Sequence, residues 1–294
     1  MKAVRTSRTF PKAWLLRSRT WLAVCLLPSW FAAVRAEETG GSPMSQPEAV
    51  VRAVALGAEW LARRQEAESG IFPGKHRTAY TGLACTALMA AGHADGRTRY
   101  GGHVRRGILH IVRESRSRDG YLGEDGGRMY GHAICTVALC EAYGMLANTE
   151  DNQDVGEAIA RAVKVTVEAQ VTSAGPHKGG WRYTRNSRDA DLSVTAWQIL
   201  SLQAARNCGF GVPDGAFTEA LSYLRRTHRE GTFHYQPGRQ PNAAMCAAGI
   251  VCMKALGADT RESDRRLIES SRAFLRDINP SAGTDFKATQ AYLT

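Results

Sequence analysis

The 294-residue sequence predicts an all-α fold in which helical hairpins repeat and stack in two layers. Two observations carry this prediction. Four helices rich in small and apolar residues begin about 50 to 60 residues apart, and each follows a more charged, amphipathic helix. Buried inner helices need small residues for close approach, whereas outer helices need one polar face. We therefore expect two concentric layers of helices that close toward a ring.

The five outer helices have apolar residues at spacings of three and four, with arginine and glutamate between them. They are predicted at AVVRAVALGAEWLARRQ (49–65), HVRRGILHIVRESRS (103–117), GEAIARAVKVTVEAQ (156–170), FTEALSYLRRTHRE (217–230) and RRLIESSRAFLRDI (265–278). The inner helices lack a polar face. They are predicted at YTGLACTALMAAGH (80–93), YGHAICTVALCEAYG (130–144), DLSVTAWQILSLQAARNCG (191–209) and PNAAMCAAGIVCMKALG (241–257), with a fifth beginning at DFKATQAY (285–292).

A glycine and an aromatic residue recur in the loops that lead from outer to inner helices. The glycine is expected to end the outer helix in the left-handed conformation, and the aromatic ring to fill the seam between hairpins. The loops are Gly70-Ile71-Phe72, Gly120-Tyr121-Leu122, Gly180-Trp181-Arg182 and Gly231-Thr232-Phe233.

Residues 1–36 have the pattern of a secretory signal peptide, followed by a linker at 37–46 and the repeat domain at 47–294. The apolar run at 21–34 is too short to span a bilayer comfortably, although a retained membrane anchor is the alternative. The leader carries seven of the 38 basic residues and none of the 28 acidic ones, so its removal lowers the net charge from +10 to +3. We therefore expect an exported protein, periplasmic or extracellular, with no nucleic-acid partner and no transmembrane helix after cleavage.

The cysteines are expected to pack as small apolar residues rather than to form a disulfide framework. Only Cys208, beside a glycine, has a loop-like context. Five others lie within predicted inner helices, namely Cys85, Cys135, Cys140, Cys246 and Cys252. The sequence has no Cys-x-x-Cys or His-x-x-x-His pair, so we predict neither a zinc site nor another cofactor.

A family resemblance adds to this interpretation. The stretch 57–61 (GAEWL), followed by Gln65 and 70–72 (GIF), resembles the QW repeat of squalene and oxidosqualene cyclases and of prenyltransferase β-subunits. Gln170 with Gly180-Trp181 is similar, as is TAW (195–197) after DLS (191–193), and the resemblance extends from about residue 47 to the end.

The resemblance implies an α/α toroid, in which the N-termini of the inner helices surround the mouth of a central cavity. The toroid would be incomplete, because the sequence supplies about four and a half hairpins against about six in a closed ring. We expect either a fragment or an open ring whose edge a partner covers. The inner-helix starts lie at Tyr80, Tyr130 with His132, Asp191, Asn242 and Asp285. Residues expected to bind an apolar, isoprenoid-like ligand are Tyr80, Tyr130, Trp181, Tyr183, Trp197, Phe233 and Tyr235.

The cyclase resemblance does not extend to the proton donor. Triterpene cyclases protonate an alkene with an Asp-x-Asp-Asp-Thr-Ala stretch, and here Ser193 and Val194 stand at its two adjacent acidic positions. Asp191 falls on the first acidic position and Asp189 lies outside it. A helix-capping role for Asp191 therefore competes with a catalytic one.

Other catalytic chemistry has weaker support. His132 is an acid–base candidate, with hydrogen bonding to a neighbouring loop as the alternative. The zinc site of prenyltransferases has no counterpart, since Asp214 and His234 lack a cysteine partner.

Two functions follow. The first is a non-catalytic module that binds an apolar ligand or a protein at the toroid mouth. The second is a triterpene-cyclase-like isomerase acting on a polyprenoid such as squalene, with Asp191, Asp189 or His132 as the acid and the aromatic residues stabilising carbocations.

Overall fold

The computed structural model describes residues 46–94 and 97–277. The predicted signal peptide, most of the linker and the predicted inner helix at 285–292 lie outside these ranges. From Ala49 onward the described residues belong to one packing unit.

The described residues form nine α-helices, so the all-α prediction is confirmed. The outer helices are α1 (Gln46–Arg64), α3 (Gly101–Ser117), α5 (Thr149–Glu168), α7 (Asp214–Thr227) and α9 (Glu262–Asp277). The inner helices are α2 (Arg77–Ala90), α4 (Arg128–Ala142), α6 (Leu192–Asn207) and α8 (Ala243–Ala255). A short antiparallel ribbon that the sequence did not indicate, β1 (His228–Arg229) with β2 (Thr232–Phe233), connects α7 toward α8, and a single 3-10 turn (Ala258–Thr260) precedes α9.

The inner helices pack in series, α2 against α4, α4 against α6 and α6 against α8. The outer helices cover them: α3 lies on α2 and α4, α5 on α4 and α6, and α9 on α8. Small residues permit these contacts, since a Cβ atom added at Gly82 of α2 would lie 3.3 Å from the Cys135 sulfur of α4. Among the described residues, none of the helices has the length and apolar character needed to cross a membrane.

The loop glycines repeat in one conformation. Gly70, Gly120, Gly179 and Gly231 have φ between +76° and +85°, a region that side chains disfavour. In the third loop the repeating residue is therefore Gly179, one position earlier than the predicted Gly180, which lacks a positive φ. Two adjacent glycines made the register ambiguous in the sequence.

The residue two positions after each glycine is buried and hydrogen-bonded to the following inner helix. The accepting side chains are Thr81 for Phe72 N–H (3.0 Å), His132 for Leu122 N–H (3.3 Å), Thr195 for Trp181 N–H (2.9 Å) and Cys246 for Phe233 N–H (3.4 Å). An unpaired buried N–H would cost about 1 to 3 kcal/mol, so these contacts fasten each loop to its inner helix. His132 thus occupies the place that threonine or cysteine takes in the other hairpins.

Two glutamines bridge successive hairpins. Gln65 Nε2 donates to the carbonyl of Gly70 at 2.9 Å and to that of His103, at the start of α3, at 2.8 Å. Gln170 Nε2 donates likewise to Gly179 at 2.8 Å and to Ala216, at the start of α7, at 2.9 Å. Each glutamine therefore connects its own loop to the next outer helix.

Gly249 provides a test of the packing between β2 and α8. A Cβ atom there would lie 2.4 Å from the buried ring of Phe233, too close for either side to accommodate without a shift. We expect Gly249→Ala to destabilise the protein by about 1 to 3 kcal/mol despite the higher helix propensity of alanine. Urea unfolding measures the change.

The control is Gly215→Ala in α7, where nothing lies within 4 Å of the added Cβ. This variant is expected to be neutral or to gain up to about 1 kcal/mol. Equal losses in the two variants would contradict the packing described here.

Candidate functional site

The accessible part of the inner layer is mostly apolar along the first and middle turns of its helices, and polar residues continue it toward the C-terminal ends at Glu141, Gln203 and Lys254. Neighbouring helices cover α2, α4 and α6 on their other sides, and the side chains that stay exposed or half-buried recur at spacings of three and four along one stripe of each helix. The stripes are Tyr80, Leu83 and Ala87 on α2; Tyr130, Ile134 and Val137 on α4; and Ser193, Trp197 and Leu200 on α6; on α8, which is accessible over a wider area, Ala244, Ala247 and Val251 continue them. We call these residues the inner face.

The inner face has a polar rim where α4 and α6 begin. The Tyr130 hydroxyl lies 2.5 Å from the Ser193 hydroxyl, which in turn donates to Asp191 Oδ1 at 2.6 Å. The first turns of two neighbouring inner helices are therefore joined through side chains. Burial raises the pKa of Tyr130 well above its ordinary value, so its hydroxyl stays protonated.

Arg182 continues the rim toward α8. Its guanidinium donates to Asp191 Oδ2 at 3.0 Å and to the Tyr235 hydroxyl at 3.3 Å, and the Tyr235 and Tyr183 hydroxyls are 2.5 Å apart. The guanidinium also stacks 4.5 Å from the centre of the Tyr183 ring. The rim is thus one hydrogen-bonded network in which Tyr130, Tyr183 and Tyr235 are half-buried.

Asp191 is the buried centre of this network and caps α6. Its side chain is fully buried, and Oδ1 accepts the N–H of Val194 at 2.8 Å, which confirms the predicted capping role. Burial raises its pKa, against the lowering effects of the hydrogen bonds from Ser193 and Val194 and of the Arg182 charge. Both carboxylate oxygens point at protein donors, so neither is available to a ligand on the inner face.

Asp189 lies at the outer edge of the same cluster. Its carboxylate is 3.3 Å from the Arg182 guanidinium, and its side chain is 47% exposed. Arg182 therefore bridges two aspartates, one buried and one solvated.

His132, the other predicted acid–base residue, lies in the core. Its Nδ1 accepts the Leu122 N–H, and Nε2 lies 3.1 Å from the Ala162 carbonyl and 3.0 Å from the Thr166 hydroxyl. The Ala162 carbonyl can only accept, so Nε2 carries the proton and the ring is neutral. Burial lowers its pKa to about 4. His132 therefore makes the hydrogen bond to a neighbouring loop that was the alternative to an acid–base role.

The structure divides the predicted ligand-binding aromatics into three groups, of which the first, Tyr183 and Tyr235, belongs to the rim. Trp181 and Phe233 are fully buried, and the Trp181 indole N–H donates to the Thr166 carbonyl at 2.7 Å. Both rings therefore seal the core between hairpins, as the loop pattern predicted. Tyr80 is 40% exposed and Trp197 is half-buried, and these two belong to the inner face together with Tyr130.

A cleft of about 390 Å³ lies beside the start of α4 and differs in character from the inner face. Its lining includes Tyr121, Glu124, Arg128, Arg185 and Asn186. The Arg185 guanidinium stacks 4.5 Å from the centre of the Tyr121 ring. This cleft is polar and charged, so it does not suit an apolar ligand.

Several inner-face residues escaped the sequence analysis, above all Leu83, Ile134, Val137 and Leu200. On helices that are apolar all round, spacing alone does not show which stripe the neighbours leave open. The signal in the sequence was that Tyr80, Tyr130 and Trp197, which were predicted to bind a ligand, lie three or four positions from these residues on the same helices.

Within the described ranges, no group of three or more histidine, cysteine, aspartate or glutamate side chains is placed to hold a metal ion. No family model matches the sequence. No curated protein matches it either. The resemblance to the cyclases and prenyltransferases therefore stays a prediction that depends on the residues named above.

Proposed function

We propose that this chain is an exported, non-catalytic module of the terpenoid cyclase and prenyltransferase repeat type, which binds an apolar, isoprenoid-like ligand on the inner face. The observation that carries the proposal is the apolar character of the accessible stripes on consecutive inner helices. A ligand that covers a surface of this kind removes apolar area from water, which lowers the free energy of the complex by about 25 cal/mol per Å².

The state of Asp191 supports a binding role over catalysis. A proton donor must present its carboxyl group to the substrate, whereas Asp191 is fully buried and engaged by Val194, Ser193 and Arg182. His132 is equally enclosed, at 0% exposure. In a binding module these groups fix the start of α6 and the loop before α4, and the half-buried tyrosines of the rim supply polar contacts at the edge of the ligand.

The alternative is a triterpene-cyclase-like isomerase acting on a polyprenoid such as squalene. The observation in its favour is the set of aromatic rings at the rim and on the inner face. Tyrosine and tryptophan rings stabilise carbocations, and Tyr130, Tyr183, Tyr235 and Trp197 remain partly accessible. A protein that binds the same inner face is the other occupant, and it would compete with an isoprenoid.

A charge placed on the inner face tests the binding site. Leu83 is 45% exposed, so Leu83→Arg should fold while presenting a cation to the ligand. We expect the affinity for a short isoprenoid alcohol, measured by equilibrium dialysis, to fall by roughly tenfold or more, equivalent to at least about 1.4 kcal/mol.

The matched control is the same exchange on α1, Leu56→Arg, where the leucine is 57% exposed and lies outside the inner face. It should bind as the parent does. If Leu56→Arg lowered the affinity and Leu83→Arg did not, the ligand would bind at α1, and the proposal would be contradicted. Absence of binding by the parent would refute an isoprenoid ligand.

A further inference from the structure

Two cysteines from neighbouring inner helices meet near the C-terminal ends of those helices. Cys140 lies in the last turn of α4, and Cys208 directly follows α6. The Cys208 sulfur donates to the Cys140 carbonyl at 3.4 Å. The rings of Tyr143 and Phe210 pack beside them, with their centres 5.2 Å apart. Both chain segments are therefore held in contact at this point.

The other cysteines of the described chain are paired with backbone groups. Their sulfurs donate to the carbonyls of Val104 (from Cys85), Thr78 (from Cys135), Phe233 (from Cys246) and Ala196 (from Cys252). All four are buried and none is bonded to another cysteine. Cys208 differs from these four because the carbonyl that accepts from its sulfur belongs to another cysteine, Cys140.

The two thiols differ in accessibility and acidity. Cys208 is half-exposed, and the hydrogen bond from Cys140 lowers its pKa. Cys140 is buried, and the same hydrogen bond together with desolvation raises its pKa well above the ordinary value. A thiolate is the species that attacks a disulfide, so Cys208 has the properties of an attacking thiol and Cys140 those of a second, resolving thiol.

We propose that Cys208 is a site of thiol–disulfide exchange which Cys140 resolves, so that the two form a disulfide linking α4 and α6. The oxidant is a disulfide of low molecular weight, such as glutathione disulfide. The Cys208 thiolate attacks one sulfur, a mixed disulfide forms, and the first glutathione leaves as a thiolate that takes up a proton. Cys140 then loses its proton to solvent and attacks the Cys208 sulfur, which releases the second glutathione. Two protein thiols are oxidised, and one glutathione disulfide is reduced to two glutathione molecules.

The resulting disulfide would link α4 and α6 at their C-terminal ends, opposite the rim. The bridge would join positions 68 residues apart, and constraining so long a loop in the unfolded chain raises the thermal midpoint of the oxidised form. The inference is independent of the proposed ligand. It is compatible with an exported protein, because disulfides persist outside the cytosol.

The experiment uses the full chain with Cys25→Ser, which removes the thiol of the predicted leader. The reduced protein is incubated with glutathione disulfide at pH 8, alkylated and mapped by peptide mass spectrometry. We expect a linked Cys140–Cys208 peptide in the parent, with Cys208 reacting roughly tenfold or more faster than the four buried thiols. In Cys140→Ser the reaction should stop at a glutathione adduct on Cys208. In Cys208→Ser, Cys140 should stay reduced.

Three outcomes would overturn the proposal. A stable glutathione adduct on Cys208 in the parent would mean that Cys140 does not reach it. Oxidation of Cys140 at the parental rate in Cys208→Ser would remove Cys208 from the attacking role. A Cys208 that reacts no faster than Cys85 would show that the pair has no special reactivity.

Discussion

Replacing Asp191 with alanine is expected to lower the free energy of unfolding by about 3 to 5 kcal/mol, the largest effect we foresee for one side chain. Two losses add. Helix α6 loses its N-terminal cap, which costs about 1 kcal/mol. Arg182, whose side chain is only 21% exposed, also loses its fully buried partner and keeps a solvated one, Asp189.

Two further variants show which interaction matters. Asp191→Asn keeps the capping oxygen but removes the charge of the ion pair. Its free energy of unfolding should therefore lie between those of the parent and the alanine variant. Asp189→Ala removes a carboxylate that is 47% exposed and should cost less than about 1 kcal/mol. Urea unfolding at pH 7 measures all three. If Asp191→Ala lost no more than Asp189→Ala, the buried pair would not organise the rim.

Acidification should destabilise the protein through His132. Its pKa is lowered to about 4 in the folded state, against an ordinary value of 6.5. Below pH 6.5 the unfolded chain binds the proton and the folded protein does not, so stability falls as the pH drops from 6.5 to 4 and this contribution levels off below 4. The shift corresponds to a loss of about 3 kcal/mol.

The variant that isolates this effect is His132→Thr. Threonine occupies the equivalent position in two other hairpins, where Thr81 and Thr195 accept the loop N–H. The variant is expected to be less stable at pH 7 because a smaller side chain leaves a cavity. Its stability should depend less steeply on pH than that of the parent, with the difference accumulating between pH 6.5 and 4. Parallel curves for the two proteins would contradict a neutral, buried His132.

The helical layers could be predicted from the sequence because burial and composition agree. On α9, apolar positions at three- and four-residue spacing bury Ile268 and leave Arg265, Arg266 and Arg276 exposed, as the pattern requires. On α8 nearly every residue is small or apolar, which predicts an inner helix and fits its place against α6. The loop glycines could be predicted because the left-handed conformation that ends an outer helix favours glycine. Where Gly179 and Gly180 are adjacent, the sequence does not show which of them adopts it.

The candidate site was less predictable, because it depends on contacts between distant segments. That Asp191 begins a helix follows from local chemistry, and its cap was predicted. Its pairing with Arg182 was not, although only nine positions separate them, because the sequence does not show which charged side chains the intervening loop brings together. The inner face depends on which side of α2, α4 and α6 the neighbouring helices leave open, and this is a property of the packing rather than of any one helix.

The most direct test of a non-catalytic binding role is to incubate the full chain with squalene in detergent, recover the protein-bound lipid and determine its structure by mass spectrometry. We expect squalene to remain bound and to be recovered unchanged, both from the parent and from Asp191→Asn. A cyclised product in the parent that disappears in Asp191→Asn would contradict it and would establish the isomerase alternative.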